Sequence, residues 1–352
     1  VLALLPLAGL SAADPPAWTY RGFSASGYVD LFYNRPSGPR AQWQAFNLTA
    51  NRLSLASATA SIGYDAAPLG FRVDAGDGRA YDSMYDSEPR HAAWSRHLLN
   101  AYVTVKPGAW HGAQIDLGKF TTSASAEPNE THLNWNYSRS LLFLYAPYYH
   151  TGLRFSLPVG STCVLGAQLV TGWNTVLDNN SGKTLGLTST NTFGRFGWAN
   201  VYYGGPENDH TNRGWRHFYD SALTFNPNSR VSTYFNFDAG RNGAPLGGQA
   251  AAFWGVAAAA RMALSRHVAL ASRIEYYGDR DGYWSGTPQA LKEFTITGEY
   301  KFNESLLTRL EYRTDFSNQA TFDAAPGGVA RNRQHLLVAG LVFVLKPGFL
   351  KF

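Results

Sequence analysis

Sulfur is nearly absent from this chain, whose 352 residues include one cysteine and two methionines. A lone thiol, Cys163, excludes an internal disulfide and any zinc cluster built on cysteines. Its apolar neighbourhood predicts a packed thiol rather than a nucleophile. Charge is sparse as well, at 16% of residues, and the net +5 is spread without a basic block. Nucleic acid is therefore not an expected partner, since it is met by a clustered basic patch or stripe. Long apolar runs are also missing. Residues 1–13 are uncharged but too few to cross about 30 Å of hydrocarbon as a helix. The stretch 250–263 is interrupted by Arg261. Residence in a membrane would thus require a closed barrel. The chain has no Gly-x-Ser-x-Gly elbow, which lowers the case for a hydrolase. The run Asp74-Ala75-Gly76-Asp77-Gly78 lacks the spacing of a calcium loop. No metal and no cofactor is expected.

What the chain has in abundance is alternation. Glu293, Thr295, Thr297, Glu299 and Lys301 fall on one parity, and Phe294, Ile296, Gly298, Tyr300 and Phe302 on the other. Strand side chains alternate faces with this period of two. The pattern recurs and predicts strands over 22–34, 46–64, 69–77, 97–106, 112–121, 148–158, 162–173, 183–193, 196–204, 216–226, 230–240, 250–264, 267–278, 291–302, 305–316 and 334–345. About sixteen strands is an even number, as bacterial single-chain barrels require. The connections alternate in length. Short ones fall at 65–68, 107–111, 158–161, 194–195, 227–229, 265–266 and 303–304. Long ones fall at 35–45, 78–96, 122–147, 174–182, 205–215, 241–249, 279–290 and 317–333. Short periplasmic turns and long outer loops are the habit of outer-membrane barrels, so the expected fold class is all-β. It is a single transmembrane up-and-down antiparallel β-barrel of about 16 strands, within a range of about 14–18. Residues 1–13, ending Ser11-Ala12-Ala13, read as a signal-peptide remnant, with the barrel over 14–352.

Orientation follows from the cost of charge in lipid, about 2–4 kcal/mol for Lys or Arg at the midplane. Ionic residues within strands should therefore face the lumen. The expected pore-lining set is Arg72, Asp74, Asp116, Arg154, Asp238, Arg273, Glu275, Glu299, Arg309, Glu311 and Arg313. Outward aromatics gather near strand ends as an interfacial girdle: Tyr64, Phe71, Phe155, Tyr203, Phe225, Tyr276, Tyr300 and Phe302. Lys119 falls on the outward parity, which places it at a strand end or bulge. The last strand is apolar on both faces, and so should pack on an inward-folded loop or act as a protected closing strand. The longest loop, 122–147, carries Glu127, Glu130 and Arg139 among aromatics. Its apolar piece 141–145 is poorly suited to water, which predicts that the loop folds into the lumen and constricts it. A surface lid is the alternative.

Several phrases carry a family resemblance. They are Asp116-Leu117-Gly118-Lys119-Phe120, then Glu127 and Glu130, then Asn136-Tyr137-Ser138-Arg139-Ser140. Others are Thr151-Gly152-Leu153-Arg154 after Pro147, residues 174–180 before Gly182-Lys183-Thr184, and Tyr202-Tyr203-Gly204-Gly205-Pro206-Glu207. Together they resemble the OmpL-like β-barrel porin family of Gram-negative outer membranes. The resemblance implies an outer-membrane, porin-like barrel. The terminal Phe352, set off by Lys346-Pro347-Gly348, is similar to the signature that barrel-assembly machinery reads. The expected function is a water-filled channel for passive diffusion of small hydrophilic solutes or ions, with no enzymatic activity. Expected partners are outer-membrane lipid, the solutes, the assembly machinery and a homo-oligomer. The alanine-rich strand 250–263 would suit a subunit wall, or would face lipid or a loop. A non-conducting structural or adhesive barrel and an outer-membrane hydrolase are the alternative readings.

Overall fold

The computed structural model describes residues 18–243, 248–323 and 328–346. The expected leader at 1–13 and Phe352 lie outside the described residues. A short strand β1 (Trp18–Tyr20) turns through Arg21 and Gly22, both at positive φ, onto β2 (Phe23–Pro36). There follow β3 (Leu53–Tyr64), β4 (Leu69–Asp77), β5 (Leu98–Val105), β6 (Gln114–Thr121), β7 (Tyr149–Val159) and β8 (Cys163–Val170). Next come β9 (Thr184–Phe193), β10 (Phe196–Asn208), β11 (Thr211–Phe225), β12 (Val231–Asn242) and β13 (Ala251–Ala263). The last are β14 (Val268–Asp279), β15 (Gln289–Lys301), β16 (Leu306–Ser317) and β17 (Arg333–Val344). Each strand from β2 onward pairs antiparallel with the next, and β17 returns to β2 with Gly340 opposite Phe32. The result is a closed barrel of 16 strands, β2 to β17. Closure leaves no unpaired edge, which is what lets a sheet sit in lipid.

Two boundaries differ from expectation. The strand expected from 46 begins at Leu53, because Asn51 adopts a positive φ of 58 and breaks the ladder. Residues before it turn inward instead, burying Ala41, Ala45 and Phe46. The long loop expected at 205–215 is absent. β10 and β11 stay paired as far as Asn208 opposite Thr211, with an irregularity between Pro206 and Asn208. Gly204-Gly205-Pro206 reads as a turn, yet Pro206 sits at that irregularity, one of the few places a sheet accepts proline.

The two faces separate as the parity argument requires. Ile274 and Leu310 on the outer parity are 58% and 66% exposed, whereas Thr295, Thr297 and Arg313 on the inner parity are fully buried. Tyr203 is a correction. It shares the inner parity with Ala199 and Val201 and is buried against the His150 ring at 4.5 Å, while Tyr202 takes the outward place. Cys163 opens β8 on the outer parity and is half-buried. Lys119 also keeps the outer parity, near the end of β6 and after Gly118 at a φ of 139. It escapes lipid because the segment between β4 and β5 covers it. Its Nζ donates to the Ser95 carbonyl at 3.0 Å and lies over the Tyr85 and Tyr149 rings at 3.9 and 4.2 Å. Such cation–π contacts are strongest where water is excluded.

Candidate functional site

Between β6 and β7 the chain runs through residues 122–148, and these residues are packed against the inner face of the barrel rather than standing above it. A short helix α1 (Leu141–Tyr145) forms where Ser140 accepts the Phe143 amide at 2.9 Å. It ends before Pro147, as the residue preceding a proline resists helical backbone. Leu141 and Leu142 pack with Ala257, Ala259, Phe253 and Tyr277. The inner face of β13 is built of small residues, and this is where its alanines find their use. A Cβ added to Gly255 would lie 2.5 Å from Leu142 Cδ2. Phe143 meets the Phe46 ring edge-on at 5.4 Å. The apolar inner face of β17 has the same explanation, since Leu336 and Val338 cluster with Phe32, Ala41 and Tyr137.

A buried segment with little regular structure must satisfy its own peptide groups. The charged wall does this. Glu311 accepts the Tyr137 and Ser138 amides at 2.6 and 3.0 Å and the Thr297 hydroxyl at 2.7 Å. Glu275 accepts the Leu141 amide at 2.6 Å. Arg309 donates to the Thr131 and Asn134 carbonyls at 2.7 and 2.5 Å, and Arg313 to the Arg139 carbonyl at 2.6 Å. Asp30 accepts the Thr131 and Tyr137 hydroxyls at 2.5 and 2.8 Å. Asn236 accepts the Ala126 amide at 3.0 Å and donates to Asp220 and Asp238 at 2.7 and 3.0 Å. Mixed signs are needed because a peptide presents both donors and acceptors.

Arg273 is the hub. It is buried and lies 2.6 Å from Glu127, 2.5 Å from Glu275 and 3.1 Å from Glu293, with a further bond of 2.9 Å to the Ser138 carbonyl. Glu299 is shared by Arg309 and Arg261 at 2.8 and 2.9 Å. Arg139 does not reach the wall. Its guanidinium closes the segment on itself through the Pro128, Tyr137 and Asn129 carbonyls at 3.1, 2.8 and 2.7 Å.

The expected pore-lining residues thus divide into two groups. Asp238, Arg273, Glu275, Glu299, Arg309, Glu311 and Arg313 are covered by the segment or by one another. Arg72, Asp74, Asp116 and Arg154 stand on β4, β6 and β7, away from the anchoring strands. Arg72 holds both Asp74 oxygens at 2.9 Å, and Arg154 holds Asp116 at 2.7 and 2.9 Å. Arg154 also lies 4.5 Å over Phe120 and 5.5 Å from Tyr102. The two guanidinium side chains are 47% and 25% exposed, against 2% for each carboxylate. Positive groups face the water and their counter-ions lie behind. Glu130 sits on the edge of the segment, half-buried. Burial, and then the charge of Asp74, push its carboxyl above the usual range, while Arg72 and Arg139 pull it back. Sequence reasoning gave no site role to Thr131, Asn136 or Ser138, because uncharged loop residues carry no signal until their partner is known. It also passed over Asp220 and Asp315, which their charge and inward parity on β11 and β16 could have found.

One prediction follows from Gly340, which lies beneath Tyr137. A Cβ there would approach the Tyr137 ring to 2.3 Å. Gly340→Leu is expected to lift Tyr137 off the wall at about 1–3 kcal/mol, the usual cost of overpacking. Limited proteolysis should then cut within 122–148 while the barrel keeps its heat-modifiable migration on gels. Full protease resistance would show that the seat of Tyr137 is unimportant.

The family described as "Putative beta-barrel porin-2, OmpL-like" matches residues 22–345. The chain belongs to this family. As an OmpL-like barrel porin it resides in the bacterial outer membrane. Its fold is shared with distant solved structures. An anion-selective porin from Comamonas acidovorans superposes with a TM-score of 0.63 at 9% identity, over 92% of this chain and 99% of that one. The outer-membrane channel DcaP of Acinetobacter baumannii gives 0.61 at 12% identity, over 94% and 100%. Salmonella typhi OmpF, solved with daunomycin, gives 0.60 at 13% identity, over 92% and 97%. No curated relative matches this OmpL-like porin by sequence.

Proposed function

We propose that this porin is a passive, non-enzymatic channel for small hydrophilic solutes or ions, narrowed by residues 122–147. The observation that carries this reading is the asymmetry of the interior. One side of the barrel holds the segment through buried charge pairs, and the other turns Arg72 and Arg154 toward water. A sixteen-stranded barrel is wide enough to leave an aqueous passage. Solutes would pass between the segment's edge at Glu130 and the two guanidinium groups. Such a passage has a transverse field, positive on the wall and negative on the segment. The hidden carboxylates of Asp74 and Asp116 tilt the balance toward anions. The description of the Comamonas structure as anion-selective agrees with that tilt.

Planar-bilayer recording of the refolded chain across a salt gradient tests the reading. Discrete steps with an anion-directed reversal potential are expected, and a silent, correctly inserted barrel would refute it. Arg72→Ala with Arg154→Ala should move selectivity toward cations. The shift per charge should be at most about fivefold, the Boltzmann factor of the ~1 kcal/mol that one unit charge exerts at ~4 Å in water. Glu130→Gln should move it the other way. Because the Glu130 carboxyl titrates above ordinary carboxylates, acidification neutralises it early and removes a negative charge. Anion preference should therefore rise as pH falls, before exposed carboxylates titrate near about 4. Glu130→Gln should abolish that early rise.

A further inference from the structure

The outer surface carries a basic group that the channel does not use. On the outward parity at the loop end of the barrel, Lys292 on β15 lies opposite Phe316 on β16, and Phe316 lies opposite Arg333 on β17. One strand further on, Arg35 of β2 faces outward opposite Leu337. All three cations are exposed, and none has a carboxylate partner among the described residues. The Arg333 guanidinium lies 4.4 Å over the Phe316 ring, which holds it at the surface rather than in the loops.

Their height matters. Tyr300 belongs to the aromatic girdle at the turn end of β15. From there to Lys292 the strand climbs about 21 Å along the membrane normal, at about 3.4 Å per residue and a tilt of about 40°. The apolar band of such barrels is about 25 Å tall. Lys292 and Arg333 therefore stand where the outer leaflet's hydrocarbon gives way to headgroups, and Arg35, opposite Leu337, stands lower on the same wall. Below Lys292 and Arg333 come Thr314 and a Tyr312–His335 hydrogen bond of 2.7 Å, and then an apolar wall with Leu310 and Leu337 at 66% and 51% exposure.

We propose that this face binds a phosphorylated lipid of the outer leaflet, its phosphate held between Lys292 and Arg333 with Arg35 reaching up from below, and its acyl chains lying along Leu310 and Leu337. Charge complementarity selects the occupant. Three cations without a carboxylate partner among the described residues, two at the top of the wall and one beside its apolar part, match an anionic headgroup with chains attached. A free phosphate ion would use only the upper half of that surface. A second copy of this chain would bring the same three cations against this face or cover them with lipid-facing apolar residues.

Native mass spectrometry of the full chain released from mixed micelles of phosphatidic acid and phosphatidylcholine tests this. The wild-type barrel should retain phosphatidic acid in preference to phosphatidylcholine. Lys292→Gln, Arg35→Gln and Arg333→Gln together should cut that preference about tenfold or more, since each Lys or Arg at an anionic surface is worth about 1 kcal/mol. Heat-modifiable migration checks that the variant is folded. Lys292→Arg with Arg333→Lys should keep the preference. A triple Gln variant at Arg21, Arg230 and Arg266, on the turn end, should also keep it. Inorganic phosphate should compete only weakly. The proposal fails if wild type shows no preference, if the loop-end triple variant keeps it, if the turn-end variant loses it equally, or if inorganic phosphate displaces the lipid fully.

Discussion

Excising residues 124–145 and joining the ends through a short Gly-Ser link is expected to raise single-channel conductance several-fold. The barrel should survive, because every strand from β2 to β17 is paired to its neighbours without help from the segment. What is lost is the apolar packing of Leu141, Leu142 and Phe143 on the inner wall. Fully burying such side chains is worth about 1.5–3 kcal/mol each, so the variant should melt lower. Excision also uncovers the apolar inner faces of β13 and β17, but the charged wall between them suits water. Glu299 keeps Arg309 and Arg261, and Arg313 keeps Asp315 at 2.8 Å. Conductance recorded in a planar bilayer, with circular dichroism to verify the sheet, separates a widened pore from a damaged one. An unchanged conductance in a folded variant would mean that the segment does not limit the passage.

The second large effect is expected at Arg273. Arg273→Met removes the cation that touches all three of Glu127, Glu275 and Glu293, leaving Arg313 4.0 Å from Glu293 alone. Removing one member of a buried ionic group usually costs about 3–5 kcal/mol, because the remaining charges are left uncompensated out of water. The loss should appear as a lower urea midpoint in lipid vesicles and as noisier, larger channel steps, since the Arg273 bonds to Glu127 and the Ser138 carbonyl are among those that tie the segment to β14. Glu293→Gln added to Arg273→Met should recover part of the loss by removing one stranded charge. A non-additive cycle of this kind is the signature of direct contact. Additive effects would place the two residues in separate interactions.

These two expectations rest on different kinds of legibility. The alternation of Glu293 to Phe302 and the inward parity of Arg273, Glu275, Arg309 and Arg313 are readable in the chain. A strand's face is a local property with a period of two. The apolar run 141–145 and the two-sided apolar β17 also point correctly to an inner packing partner, since neither is tolerable beside water. The extension of β10 and β11 was not legible, because Gly204-Gly205-Pro206 has the composition of a turn whether or not pairing continues through it. Tyr203 was misassigned because two adjacent tyrosines leave parity undecided until the partner strand is fixed.

By itself, then, the sequence determined the barrel: its even strand number, its orientation through short and long connections, and the sorting of charge inward and aromatics outward. The physical reason is that lipid and period-two geometry act on every strand alike. Only the tertiary structure decided which of the inward charges meet water. Arg154 and Arg273 have the same parity and nearly the same local context, yet one side chain is a quarter exposed and the other is fully covered. That difference depends on where residues 122–148 come to rest. Their seat is set by contacts from β2, β8, β10 and β12 to β17, strands far apart in the chain that only barrel closure brings around one lumen.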